Sequence, residues 1–116
     1  MSDTLPGTWE MVRAELAGEQ APDMLALRVE LALTTDTYVV RFAGQVADRG
    51  SYARAGNALT LTGTDGPNKG RTIPCIYQLT GERLRVCYGL DGTEPTALAT
   101  AAGKQHYLTT YRRKAP

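Results

Sequence analysis

The sequence predicts an all-β domain, an up-and-down antiparallel barrel of about eight to ten short strands. Three observations lead there. Apolar side chains recur with a period of two, glycines fall at intervals that suit short strands and tight turns, and a sheet of such strands must hide its edges, which closure does most completely. At 116 residues the chain is read as a single domain, 1–116, because a chain of this size buries its apolar surface around one core.

The first strand begins in "LPGTWEMV", where the lone tryptophan, Trp9, follows Gly7 by two positions. Strict alternation from an inward Trp9 places Met11, Arg13 and Glu15 on the inner side, with Val12, Ala14 and Leu16 opposite. A bulge in this strand would instead release both charges to water. "APDMLA" leaves two options, a single helical turn capped by Asp23 after Pro22 or an irregular loop. From Leu27, the residues Leu27, Val29, Leu31 and Leu33 alternate with Arg28 and Glu30 as in a half-buried strand. After a turn at Thr35-Asp36, "TYVVRFAG" puts Tyr38, Val40 and Phe42 on one face and Arg41 on the other.

"NALTLTGT" repeats the pattern with Leu59 and Leu61, and "IPCIYQLTGERLRVCYG" reads as a hairpin around Gly81-Glu82. Pairing Leu79 with Leu84 and Tyr77 with Val86 gives that hairpin one apolar face. The same register sends Cys75 and Cys87 to opposite faces, so reduced thiols are expected. The last segment, "QHYLTTYRR", sets Tyr107, Thr109 and Tyr111 against His106 and Leu108. Glycines 18, 44, 50, 56, 66, 70, 81, 92 and 103 are read as the joints between strands.

Charge narrows the function. The 13 basic and 12 acidic side chains nearly cancel, which removes the field that draws proteins to nucleic acid or anionic lipid. "MSDTLPGTWE" has neither the basic nor the apolar region of a secretion signal, and no run is apolar enough to span a bilayer. A soluble cytoplasmic protein is expected, a monomer or homodimer, with no membrane or nucleic-acid partner. Two thiols and one histidine are too few for a structural zinc site of four protein ligands unless carboxylates fill the gap, and no cofactor is expected.

"GTW" at the head of the first strand resembles the Gly-x-Trp signature of the lipocalin and calycin superfamily. In that superfamily the tryptophan plugs the closed end of the barrel beneath a basic residue of the last strand. "TTYRR" offers that residue in Arg112 or Arg113, and a guanidinium over an indole face gains cation–π attraction. Taken together, "GTWEMVRAELAGE", "TDGPNKGRTIPCIYQLTGERLRVCYG" and the terminal "YRR" resemble a small family of bacterial lipocalin-like domains along nearly the whole chain. The resemblance implies a fold rather than an activity. The chain departs from the pattern at Glu94-Pro95, where the family usually has Arg-Pro, and at Cys75, where it has glycine.

An eight-stranded barrel either encloses one small ligand or is filled by its own side chains. The expected function is the binding of a small, mainly apolar molecule in the interior or mouth, with Met11, Arg13, Tyr38, Tyr77 and Tyr107 as candidate contacts and Trp9, Arg112 and Arg113 closing the barrel. Tyrosines suit this because each combines an apolar ring with a hydrogen-bonding tip. Two alternatives stand beside it. One is an enzyme of the cyclase or isomerase type that uses the barrel as a mould, and the other is an interaction domain with a filled barrel and an apolar patch at Val12 and Leu16.

No catalytic residue is assigned, since His106, Cys75 and Cys87 form no recognisable triad and offer no oxyanion donor. "GTDGPNKGRT" lacks phosphate-loop spacing and joins strand to strand, so it is read as a hairpin connection.

Overall fold

The computed structural model describes residues 5–21, 27–103 and 105–114. Nine strands are present among them: β1 (Gly7–Leu16), β2 (Glu19–Gln20), β3 (Val29–Leu33), β4 (Thr37–Phe42), β5 (Gln45–Ala55), β6 (Ala58–Asp65), β7 (Thr72–Thr80), β8 (Arg83–Gly89) and β9 (His106–Arg113). Every pairing between these strands is antiparallel, and each joins sequence neighbours except those of β1 with β3 and β9. The β1–β9 pairing closes an eight-stranded up-and-down barrel, and β2 adds a short ninth strand at the end of β1. Closure leaves the eight barrel strands with no unpaired edge. No described residue is helical, and "APDMLA", left open between a helical turn and a loop, lies, but for Ala21, outside the described residues.

The inner face follows the period of two. Leu31 and Leu33, Leu59 and Leu61, and Leu84 and Val86 are buried with Trp9, Tyr38, Tyr52, Ile73 and Tyr111 in one core. The β7–β8 hairpin has the expected register, Tyr77 opposite Val86 and Leu79 opposite Leu84. Cys75 therefore joins the interior core while Cys87, in the next pair but on the other face, packs outside with Ile76 and Leu108 beneath Leu98. Both cysteines are free thiols, and burial pushes both up from the ordinary thiol range.

Three features differ from the sequence reading. The third strand starts at Val29, since Leu27 is exposed and Arg28 has a positive φ of 52°. "QVADRGSYARA", in which Gly50 was expected to be a joint, is instead the longest strand, β5. Gly50 sits in mid-strand opposite Tyr38 on one side and Gly63 on the other, because a Cβ there would lie 2.6 Å from Tyr38 Cε2 and 2.1 Å from the Thr62 carbonyl oxygen. The glycine makes room for a neighbouring ring and backbone rather than for a turn.

The third difference is a bulge in β1. Met11 faces Tyr111 but Arg13 faces Thr110, so Val12 is an extra residue and the alternation reverses after it. Ala14 and Leu16 take the inner phase opposite Thr109 and Tyr107, whereas Arg13 and Glu15 take the outer phase opposite Thr110 and Leu108. The expected inward placement of Arg13 does not occur. A bulge disturbs one ladder position, whereas enclosing two charged side chains without partners would cost several kcal/mol, so the bulge is the cheaper arrangement.

Candidate ligand-binding cavity

The two ends of the barrel are built differently. At one end Trp9 is fully buried and its indole Nε1 donates to the Leu5 carbonyl at 3.0 Å. Arg113, next to it across the β1–β9 ladder, lays its guanidinium over the indole with Cζ 4.2 Å from the ring centroid. The same guanidinium donates to the Pro6 carbonyl at 3.1 Å and pairs with Glu82 of the β7–β8 turn at 3.5 Å. One side chain thereby ties the first strand, the last strand and a hairpin over the plug. Gly7 is required beneath it, since a Cβ there would stand 2.6 Å from Arg113 Nη1 and its φ is +144°. Arg112 points to the outside and pairs with Glu10.

Towards the opposite end the interior is hollow. A cavity of about 250 Å³ lies above Tyr38, Leu61 and Ile73, walled by Met11, Val40 and three tyrosines, Tyr88, Tyr107 and Tyr111. Its rim carries Pro67 and Asn68 of the β6–β7 loop and Leu90 of the segment after β8. That loop, the "GPNKGR" of the sequence, folds back through bonds from Gly70 N to Gly63 O (2.9 Å) and from Gly63 N to Arg71 O (3.0 Å). Arg71 then braces the rim, donating to Asn68 Oδ1 at 3.1 Å and to the Leu90 carbonyl at 2.8 Å.

The tyrosine wall is a connected unit. The rings of Tyr88 and Tyr107 stack at 5.7 Å between centroids, the hydroxyls of Tyr88 and Tyr111 are 2.8 Å apart, and the Tyr107 hydroxyl reaches Met11 Sδ at 3.8 Å. Two residues of neighbouring strands, Tyr38 of β4 and Asp48 of β5, also line the cavity. Asn68 Nδ2 donates to Asp48 Oδ2 at 2.7 Å. The other carboxyl oxygen, Oδ1, and the Tyr38 hydroxyl are both buried, and the phenol interacts with the Asp48 carboxylate through its charge and a side-chain hydrogen bond.

Burial, reinforced by the negative charge of Asp48 and by the hydrogen bond to it, pushes the Tyr38 phenol up to about 12. Burial likewise raises Tyr52, Tyr88, Tyr107 and Tyr111. A phenol whose folded pKa exceeds its unfolded value near 10 contributes stability that is intact below about pH 10 and is lost as the pH rises through the folded value. An alkaline titration followed by phenolate absorbance should show these five tyrosines ionising together with the loss of the far-ultraviolet sheet signal. Ionisation of all five near pH 10 with the sheet signal unchanged would contradict their enclosure.

Of the residues singled out from the sequence, Met11, Tyr38 and Tyr107 meet in this cavity. Tyr77 lies on the inner face but is not part of the cavity wall, and its hydroxyl donates to Gly56 O at 3.1 Å in the β5–β6 turn. Arg13 lines a separate groove of about 470 Å³ on the outer wall, with Arg83, Arg85 and Glu15. Asp48, Tyr88, Tyr111 and Asn68 were not singled out as contacts. Tyr88 and Tyr111 were within reach, since they keep the phase of Leu84 and Val86 and of Tyr107. For Asp48 the only signal was its even spacing from Gly50 and Tyr52.

His106 lies on the outer face, where its Nε2 is 2.8 Å from Thr93 Oγ1 and 3.4 Å from Asp91 Oδ1. Because the Thr93 hydroxyl donates to Asp91 at 2.6 Å, it accepts from the imidazole, and the three fasten the segment after β8 to the wall. The hydrogen bonds from Thr93 hold the Asp91 carboxyl below its ordinary value. Among the described residues no group of three or more His, Cys, Asp or Glu side chains is arranged to hold a metal ion.

Fold and site together define a closed antiparallel barrel with one plugged end and one hollow, tyrosine-walled end, an architecture consistent with a lipocalin-like fold. No family model matches the chain, and no curated protein matches it.

Proposed function

We propose that this protein is a lipocalin-like binding module of the cytoplasm whose barrel holds a small, mainly apolar molecule. The supporting observation is the hollow itself. Trp9 and the leucines fill the interior at the Arg113 end, yet about 250 Å³ remains free between Tyr38 and the β6–β7 loop. Close packing is the rule in protein interiors, so a void of this size, walled by tyrosines that present both ring and hydroxyl, suits an occupant. An engineered apolar cavity of about 150 Å³ takes benzene, and the space here therefore suits one ring with a short side chain.

Native mass spectrometry of the purified protein, followed by denaturing extraction, tests the reading. A stoichiometric small molecule is expected, and Val40→Phe, which adds bulk at the cavity wall, is expected to diminish it while leaving the sheet intact. A barrel that travels empty, and whose Val40 and Tyr107 nuclear magnetic resonances do not move with millimolar 2-phenylethanol, would refute it.

A further inference from the structure

We propose that the groove on the outer wall is a second site, separate from the interior cavity, that takes a small phosphate monoester: its dianionic head lies among Arg13, Arg83 and Arg85 above Thr110, and its organic body rests against Val12 and Leu108. These residues line a single groove of about 470 Å³ together with Glu15. The sheet register gathers them. Arg13 of β1 and Arg85 of β8 stand opposite Thr110 from either side, and Arg83 precedes Arg85 by two positions on the same face. Neighbouring strands lie about 5 Å apart, so the two flanking arginines start about 10 Å from one another and their long side chains can meet on one group placed over the threonine. The bulge at Val12 is what brings Arg13 to this face.

Charge identifies the occupant. Among the described residues Arg13 and Arg83 form no ion pair or side-chain hydrogen bond, and Arg85 donates to the Leu98 carbonyl at 3.4 Å. The neighbour of Arg83 across the ladder is Arg112, which is paired with Glu10. The one carboxylate of the groove, Glu15, accepts from Thr100 Oγ1 and, at 3.4 Å, from Gln20 Nε2, and it forms no ion pair with the three guanidiniums. Like charges on neighbouring strand positions destabilise a sheet, and an anion shared among them offsets the repulsion. A guanidinium presents a planar fork of donors that matches phosphate oxygens, and a phosphate dianion gains more from three of them than the single charge of a carboxylate does. The whole chain is nearly neutral, with 13 basic and 12 acidic side chains, so the positive field is local and suits a small anion rather than a polyanion. Residues 98–100 cross the outer wall at Arg85, Cys87 and Glu15 and bound the groove at that end, which fits a short molecule.

Phenyl phosphate, inorganic phosphate and benzoate, each titrated into the whole chain at constant ionic strength by calorimetry and nuclear magnetic resonance, test the assignment. Phenyl phosphate is expected to bind tightest and benzoate weakest, with resonance shifts at Val12, Leu108 and Thr110 and none at Val40 or Tyr107 inside the barrel. The two sites are thereby read separately, and an empty interior would leave this one standing. Phenyl phosphate should bind several-fold tighter at about pH 7.5 than at about pH 5, because a phosphate monoester loses its second proton near pH 6. Arg13→Gln and Arg83→Gln should each weaken it about five- to tenfold, as loss of a charge-assisted hydrogen bond implies. Both side chains are exposed and unpaired, so neither substitution removes a contact that holds the fold. Benzoate that binds as tightly as phenyl phosphate, an affinity unchanged in both variants, or shifts at Val40 and Tyr107 in place of the groove residues overturns the site. No response to millimolar phenyl phosphate overturns it as well.

Discussion

Trp9→Ala is expected to lower the unfolding free energy by about 3–5 kcal/mol, the range for removing a large aromatic side chain from a core. The tryptophan has no exposed surface, its indole N–H bonds to Leu5, and the Arg113 guanidinium lies on its face. Truncation would open a cavity at the plugged end and at the same time deprive Arg113 of the ring it covers. Trp9→Phe separates these contributions, because it keeps an aromatic face but loses the donor to Leu5. A loss of about 1–3 kcal/mol is expected from leaving that carbonyl without its bond, together with the smaller ring. Urea unfolding is the appropriate measurement, read as a shift in midpoint at constant slope. A Trp9→Ala protein with the original midpoint would mean that the plugged end is not part of the cooperative core.

Gly50→Ala should cost roughly 3 kcal/mol, at the upper end of what overpacking usually costs. The added Cβ would lie 2.1 Å from the Thr62 carbonyl oxygen and 2.6 Å from Tyr38 Cε2. The first is backbone in the β5–β6 ladder, and the second belongs to the buried ring of Tyr38. Gly56→Ala is the contrasting case, with open space around the added methyl but a φ of +60°, and only the left-handed backbone cost of about 1–2 kcal/mol is expected. Thermal or urea unfolding of the pair should rank Gly50→Ala below Gly56→Ala. The opposite ranking would mean that β5 relaxes away from Tyr38 without penalty. Because Asp48 lies two residues before Gly50 on the same strand face, Gly50→Ala is also expected to disturb the cavity, whereas Gly56→Ala is not.

These two substitutions mark where the sequence was legible and where it was not. Trp9 was readable because the Gly-Thr-Trp opening and the terminal Arg112-Arg113 pair are local signals, although only the structure chose Arg113 for the stacked position. The β7–β8 hairpin was readable to the residue, since a two-residue turn fixes the register and the register fixes the faces of Cys75 and Cys87. β5 was not readable, because its inner positions are Asp48, Gly50 and Tyr52, a sequence in which neither apolar periodicity nor β-branching is visible. Gly50 serves the Tyr38 ring, a residue twelve positions away that no local pattern links to it.

The cavity shows the same division. Met11, Tyr38 and Tyr107 follow from strand parity, but the bulge at Val12 turned Arg13 outward. Asp48 entered the wall from a stretch that read as polar.

The sequence by itself determined the all-β class and the faces of the strands other than β5 and the second half of β1, because a side-chain period of two and tight turns are properties of neighbouring residues, and its Gly-x-Trp resemblance pointed to the plugged end. Tertiary structure alone decided that the other end stays hollow, that a bulge expels Arg13, and that Asp48 and Tyr38 come together. Those outcomes depend on closure, which brings distant strands side by side and fixes how much volume their side chains leave unfilled.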